Sequence, residues 1–160
     1  MTQHVATASG VQSLHVLLVD DDAFVLELMT DILGDLGVAS VQVAHSGVEG
    51  LSVYRQAAVR PNVIICDLCM PHLGGMDFLS QLAKERCKAA ILIVSGHNFT
   101  PPDDPNWGLA KYDGPVLHLA EKMARLQGLQ VRGTFEKPLT RETVTEMVHL
   151  VGGTATAAPV

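Results

Sequence analysis

Short apolar runs alternate along the chain with longer stretches in which apolar residues recur every three or four positions. Residues 15–19 (HVLLV) are the first run; three aspartates close it abruptly, and it reads as a buried strand. From Ala23 to Leu36 the apolar residues Val25, Leu28, Met29, Ile32 and Leu36 keep a helical period, and Gly37 supplies a stop signal. The pattern then predicts a strand over 40–44, a helix over 47–56, a loop at Pro61 and a strand over 62–68 whose run VIIC precedes Asp67. After the turn MPHLGG come a helix over 76–86 and the apolar strand 90–94 (AILIV).

Residues 97–115 are proline-rich and break this rhythm, so they read as a loop. Helical spacing returns at Val116, Leu119, Ala120, Met123 and Leu126; a weaker strand follows over 131–136, and a last helix over 140–151 carries Val144, Met147, Val148 and Val151 on one face. Residues 1–13 are expected to be a flexible N terminus, 14–151 one folded domain and 152–160 a disordered tail with nothing to bury. A length of 160 residues suits a single domain.

Five strands alternating with five helices imply right-handed crossovers and a parallel sheet covered on both faces. The natural arrangement is a flavodoxin-like, doubly wound α/β fold with strand order 2-1-3-4-5, here with an insertion between the fourth strand and the fourth helix. Ligands in such sheets sit beyond the carboxyl ends of the strands. Asp20, Asp21 and Asp22 follow the first strand, Asp67 ends the third, Ser95 follows the fourth and Lys137 the fifth. All of them should therefore meet at one sheet edge.

Crowded carboxylates repel one another unless a hard cation lies among them, and Mg²⁺ suits a few carboxylates while keeping open positions for phosphoryl oxygens. Lys137 would add a positive charge and Ser95 a hydroxyl donor, and Asp67 could attack phosphorus to form an acyl phosphate. Asp22, by contrast, reads as a helix cap.

Asp20-Asp21, Asp67 within DLCMP, Ser95 within IVSG and Lys137-Pro138, in that order and spacing, resemble the signature of response-regulator receiver domains of two-component signalling. The resemblance covers about 14–151. It implies that Asp67 is the phosphoacceptor, that Asp21 and Asp67 ligate Mg²⁺ directly with the Cys69 backbone carbonyl, and that Asp20 helps through water. It further implies that Ser95 and Lys137 hold the phosphoryl group, that the Lys137-Pro138 bond is cis, and that Pro71 and Gly75 form the turn after the phosphorylated strand. The implied donor is a bacterial histidine kinase or histidine phosphotransfer protein, and the implied output is a downstream protein partner or effector domain. Catalysis beyond the domain's own phosphorylation and dephosphorylation is not expected. Cys69 and His97 fall at positions that tune phosphoryl lifetime in this family; neither is a water-orienting carboxylate or amide, so a phosphorylated state that is not especially short-lived is expected, although His97 also reads as an ordinary surface histidine.

Two features depart from the family pattern. Ser95 and Lys137 are 42 positions apart, roughly twice the usual gap, and the extra residues form either a docking element around Trp107 and Tyr112 or a tolerated surface insertion. Thr134 stands where an aromatic switch residue is expected, three before the lysine, and Phe135 should face the other way by strand alternation.

Composition narrows the alternatives. A net charge of -6 without a basic cluster disfavours direct nucleic-acid binding, and no apolar run approaches a membrane span, so a cytoplasmic protein is expected. Cys66 and Cys69 form a C-x-x-C spacing, but alternation turns them to opposite faces and no second ligand pair lies nearby, so a redox or zinc role is disfavoured. A haloacid-dehalogenase-type phosphatase would want a second aspartate where Cys69 stands. The remaining alternatives are a phosphorylation-independent interaction module and the receiver portion of a cyclic-di-GMP phosphodiesterase-type regulator, the latter hinted at by LAEKMARLQGLQVRGTFEKPL.

Overall fold

A computed structural model describes residues 10–70, 74–96 and 113–152, and the backbone alone for 113–116. Five strands and five helices alternate: β1 (His15–Val19), α1 (Ala23–Leu36), β2 (Ser40–Ala44), α2 (Gly47–Gln56), β3 (Val63–Asp67), α3 (Gly75–Lys84), β4 (Ala90–Ser95), α4 (Asp113–Leu126), β5 (Gln130–Glu136) and α5 (Arg141–Gly152). All strands are parallel, in the order β2-β1-β3-β4-β5. This is the flavodoxin-like arrangement expected from the alternation. Among the described residues no helix is long and apolar enough to cross a membrane.

Because both faces are covered, the central strands are apolar throughout their buried length: every residue of β3 is buried, and so is all of β4 after Ala90. Alternation splits these side chains into two cores. Leu17, Val19, Ile64, Cys66, Ile91 and Ile93 pack beneath α2, α3 and α4, against Leu51, Phe78, Leu82 and Ala124. Val16, Leu18, Ile65, Leu92 and Val94 pack beneath α1 and α5, against Leu26, Met29, Leu33, Val144 and Met147. Each fully buried aliphatic side chain contributes roughly 1.5–3 kcal/mol relative to exposure.

Helix ends follow local chemistry. The Asp22 carboxylate accepts the Phe24 N–H at 3.0 Å and caps α1, and Gly37 at φ 90° ends it. The Thr140 hydroxyl accepts the Thr143 N–H at 3.2 Å and opens α5.

Several expectations need correction. Residues 10–13 are not all loose: a helical turn there packs Val11 against the α1/α5 core, and Gly10 lies beside Gly152. Gly152 is the buried end of α5, not the start of a tail. Helix α4 begins at Asp113, which removes 113–115 from the proposed insertion; residues 97–112, with His97, Trp107 and Tyr112, lie outside the described residues, as do Pro71 and 153–160.

The phases of α1 and α4 also differ. Helix α1 buries Leu26, Met29, Ile32 and Leu33 and leaves Leu28 exposed, because two apolar stripes run along it and only one faces the sheet. Helix α4 buries Leu117, Ala120 and Ala124, and the two alanines let it sit close to the sheet, while Leu119, Met123 and Leu126 face outward.

Candidate functional site

The buried polar or charged residues among those described are three, Asp20, Asp67 and Ser95, and all lie at the carboxyl edge of the sheet. Core positions exclude such groups unless a partner satisfies them. Asp20 continues β1, and its N–H donates to the Ala44 carbonyl at 3.1 Å; one carboxylate oxygen accepts the Asp22 N–H at 2.9 Å. Asp67 ends β3, the central strand, and its Oδ1 accepts the Cys69 N–H at 3.1 Å. The Lys137 ammonium, just past β5, donates to Asp20 Oδ2 at 2.7 Å and to Asp67 Oδ2 at 3.1 Å. The Lys137-Pro138 peptide bond is cis, as the resemblance implies.

One oxygen each from Asp20, Asp21 and Asp67 lies within 4.8 Å of the others. Asp22 is not in this group, because its carboxylate is turned to the α1 N terminus. Ser95 ends β4 beside β3; its carbonyl accepts the Lys137 N–H at 2.8 Å. The start of α3 lies close against the end of β3: a Cβ on Gly75 would stand 2.5 Å from the Asp67 carbonyl oxygen, so only glycine fits there.

Three carboxylates share one ammonium, and the imbalance is visible in their proton affinities. Burial first, then the Asp20 charge, pushes the Asp67 carboxyl up to about 6, against the opposing pull of Lys137 and the Cys69 N–H. Burial and Asp20 also raise Asp21. Burial disfavours the charged form of Lys137, yet its bonds to Asp20 and Asp67 outweigh this and hold its affinity above the ordinary value. The donor set is all oxygen and carries excess negative charge, which fits a hard divalent cation such as Mg²⁺.

The site opens into a cleft of about 440 Å³ whose lining includes Asp21, Asp22, Asp67, Cys69 and Lys137 together with the apolar side chains of Phe24, Leu28 and Pro138. The apolar wall was not anticipated; its signal was the second stripe on α1, in which Phe24 and Leu28 recur at helical spacing. Cys66 points the other way, into the core beneath α2 and α3, where burial raises its thiol well above the usual range. None of the three cysteines is in a disulfide.

The sequence model of the response regulator receiver domain matches residues 16–102, more than half of the chain. The chain belongs to the response regulator receiver family. This receiver is 34% identical over 134 residues to the response regulator MprA of Mycobacterium ulcerans, which covers 82% of this chain and 56% of that protein. It is 30% identical over 80 residues to the chemotaxis protein CheY of Thermotoga maritima, covering 50% of this chain and 65% of that one. Among solved structures, a response regulator receiver domain protein from Clostridium thermocellum superposes with a TM-score of 0.68 at 24% identity, over 90% of this receiver and 98% of that chain, a likeness of fold. The matched part spans less than two thirds of these curated relatives, from 22% of a protein-glutamate methylesterase/protein-glutamine glutaminase of Natronomonas pharaonis to 65% of the Thermotoga CheY.

Proposed function

We propose that this receiver takes a phosphoryl group onto Asp67 from the phosphohistidine of a histidine kinase or histidine phosphotransfer protein, and that the modified state switches binding of a downstream protein or effector domain. The observation that carries this reading is the charge-unbalanced group of Asp20, Asp21, Asp67 and Lys137 at the end of the central strand. An Asp67 carboxylate oxygen attacks phosphorus, the bond from phosphorus to the donor imidazole breaks, and the imidazole leaves with the electron pair and takes up a proton.

Mg²⁺ would be held by Asp21, Asp67 and the Cys69 backbone carbonyl, with Asp20 acting through water; when bound it neutralises charge on the phosphoryl oxygens. Lys137 is placed to shift from Asp67 to an incoming phosphoryl oxygen, because its bond to Asp20 keeps the ammonium in the cleft. Ser95 would donate its hydroxyl to the same group. Cys69, which lines the cleft, has no water-orienting carboxylate or amide, in keeping with a phosphorylated state that is not especially short-lived. A cytoplasmic location follows from the donor.

Incubation with phosphoramidate and Mg²⁺ followed by intact-mass spectrometry tests the proposal. One phosphoryl adduct is expected on the natural sequence and none on Asp67→Asn; an equal adduct on both, or none on either, would overturn it.

A further inference from the structure

Cations gather at the edge of the sheet opposite Asp67. Five of the eleven lysines and arginines lie in two short segments, Arg55 and Arg60 in 55–60 and Lys84, Arg86 and Lys88 in 84–88, and all five are exposed. Glu85 is the one carboxylate in these segments, whereas the rest of the chain holds six cations against sixteen carboxylates. The sheet brings the two segments together. Strand β3 pairs in parallel with β4 from Val63 and Ala90 onward, and the Ala90 N–H donates to the Asn62 carbonyl at 2.9 Å, so the connections entering both strands lie side by side at the amino edge.

Two of the cations are held in place. Arg55 donates to both oxygens of Glu85, with Nη2 to Oε2 at 2.7 Å, and so ties the end of α2 to the end of α3. The Arg60 guanidinium stands 4.9 Å from the centroid of the Tyr54 ring. The Arg55 hydrogen bond, with a smaller contribution from the Arg60 charge, holds the Glu85 carboxyl below its ordinary value, so Arg60 also faces the 84–88 segment. Among the described residues, Lys84, Arg86 and Lys88 have no ionic partner.

Helix ends explain part of this placement. A basic residue in the last turn complements the helix dipole, which accounts for Arg55 and Lys84. Arg60, Arg86 and Lys88 lie beyond the helices, and Arg86 sits at φ 56°, where glycine is unstrained. Strain kept at a charged residue without a partner points to a use for the charge.

The form of the patch narrows what it fits. The ends of α2 and α3 turned toward it are C termini, which present carbonyls and not the N–H groups that cradle an isolated phosphate. Its charges stand on side chains spread over two connections, which suits several separate carboxylates. The sixteen carboxylates elsewhere repel a duplex or an anionic bilayer, whose charge extends well beyond the patch, while a short acidic segment meets the two connections alone.

We propose that Arg60, Arg86 and Lys88, flanked by Arg55 and Lys84, form a docking site for an acidic segment of a partner protein. The inference is independent of the reading of Asp67. The length of β3, about 13 Å from Val63 to Asp67, separates the two edges, so a partner held here leaves the phosphoacceptor cleft open.

The test is an NMR titration of the full chain with a glutamate-rich peptide of about ten residues, roughly 33 Å when extended. The amides of Arg60 and of residues 85–88 should shift while that of Cys69 stays, and affinity should fall at least about tenfold between about 0.05 and 0.5 M NaCl. Shifts spread over the whole surface, or centred on Cys69 or α4, overturn the site. Lys84→Gln with Lys88→Gln, which breaks no ion pair, should weaken the peptide about threefold to tenfold, whereas Lys122→Gln with Arg141→Gln, the same charge lost elsewhere, should change it less than about twofold. Equal effects of the two pairs would reduce the patch to overall charge and overturn it.

Arg86→Gly separates the site from its scaffold, because it should raise Tm by relieving the left-handed strain and yet weaken the peptide. A stabilised variant that binds as tightly as the natural protein overturns the inference. A single-stranded oligonucleotide and phosphatidylglycerol vesicles should bind more weakly than the peptide at equal charge concentration; tighter binding of either at these residues would replace the acidic protein segment and defeat the proposal.

Discussion

Replacing Asp67 with asparagine should make the metal-free protein more stable. The folded protein holds the Asp67 carboxyl at about 6 against an ordinary value of 3.8, chiefly through burial and the Asp20 charge. About two pH units of displacement correspond to about 3 kcal/mol of strain in the ionised form at pH 7. The substitution removes the charge, and the asparagine amide oxygen can still accept the Cys69 N–H. The Lys137 attraction that the variant loses is already contained in that displacement, and Lys137 keeps Asp20 at 2.7 Å. The gain at pH 7 is therefore about 3 kcal/mol, a rise of roughly 6–12 °C in Tm for a domain of this size. The pH dependence has a definite sign. Asp67 binds its proton more tightly folded than unfolded, so its stabilising contribution is complete below about pH 4 and is lost as pH rises through about 6. The advantage of Asp67→Asn should therefore be full at pH 7, shrink between pH 6 and pH 4, and vanish below. Urea unfolding of both proteins in EDTA across this range measures it, and the difference between the two curves cancels the slopes contributed by other carboxylates. Added Mg²⁺ should narrow or reverse the order, because only the natural site keeps its full ligand set. A variant less stable than the natural protein in EDTA at pH 7 would refute the reasoning.

The neighbouring residues make sharper demands on geometry. Gly75→Ala places a Cβ 2.5 Å from the Asp67 carbonyl oxygen and 2.6 Å from Leu68 Cα, so it should lower stability by about 2–3 kcal/mol and weaken beryllofluoride binding, read by calorimetry and by the Cys69 amide signal. Asp22→Ala should lower stability by about 1 kcal/mol through loss of the α1 cap and leave the Mg²⁺ titration midpoint in place, whereas Asp21→Asn should weaken Mg²⁺ by at least about tenfold; equal effects on the metal would make Asp22 a ligand. Arg86 sits in the left-handed region at φ 56° after α3, so Arg86→Gly should raise stability by about 0.5–1 kcal/mol in thermal unfolding.

The sheet edge was legible in the sequence because topology alone decides which residues reach it. Once short apolar runs alternate with helical spacing, the residue after each run must lie at the carboxyl end of its strand, and Asp20, Asp67, Ser95 and Lys137 therefore come together whatever the packing beneath them. Packing phase is a different kind of information. In α1 the sequence offers Phe24, Val25 and Leu28 as well as Leu26, Met29 and Leu33, and period alone cannot say which stripe faces the sheet and which walls the cleft. In α4 the larger residues draw attention to Leu119, Met123 and Leu126, yet Ala120 and Ala124 are the ones buried, since a close approach to the sheet favours small side chains. The left-handed turn at Arg86 carried no glycine to announce it. The bulge at Arg132, left over where Ile91 pairs with Val131 and Leu92 with Gly133, is the extreme case. Alternation predicts opposite faces for Thr134 and Phe135, and the structure agrees, but alternation counted forward from Val131 gives the reverse assignment. Only the register against β4 decides, because one unpaired residue exchanges the faces of everything after it. The site can thus be read from residue types at strand ends, while which β5 side chains face α4 and which face α5 depends on a single inserted residue whose effect no local pattern records.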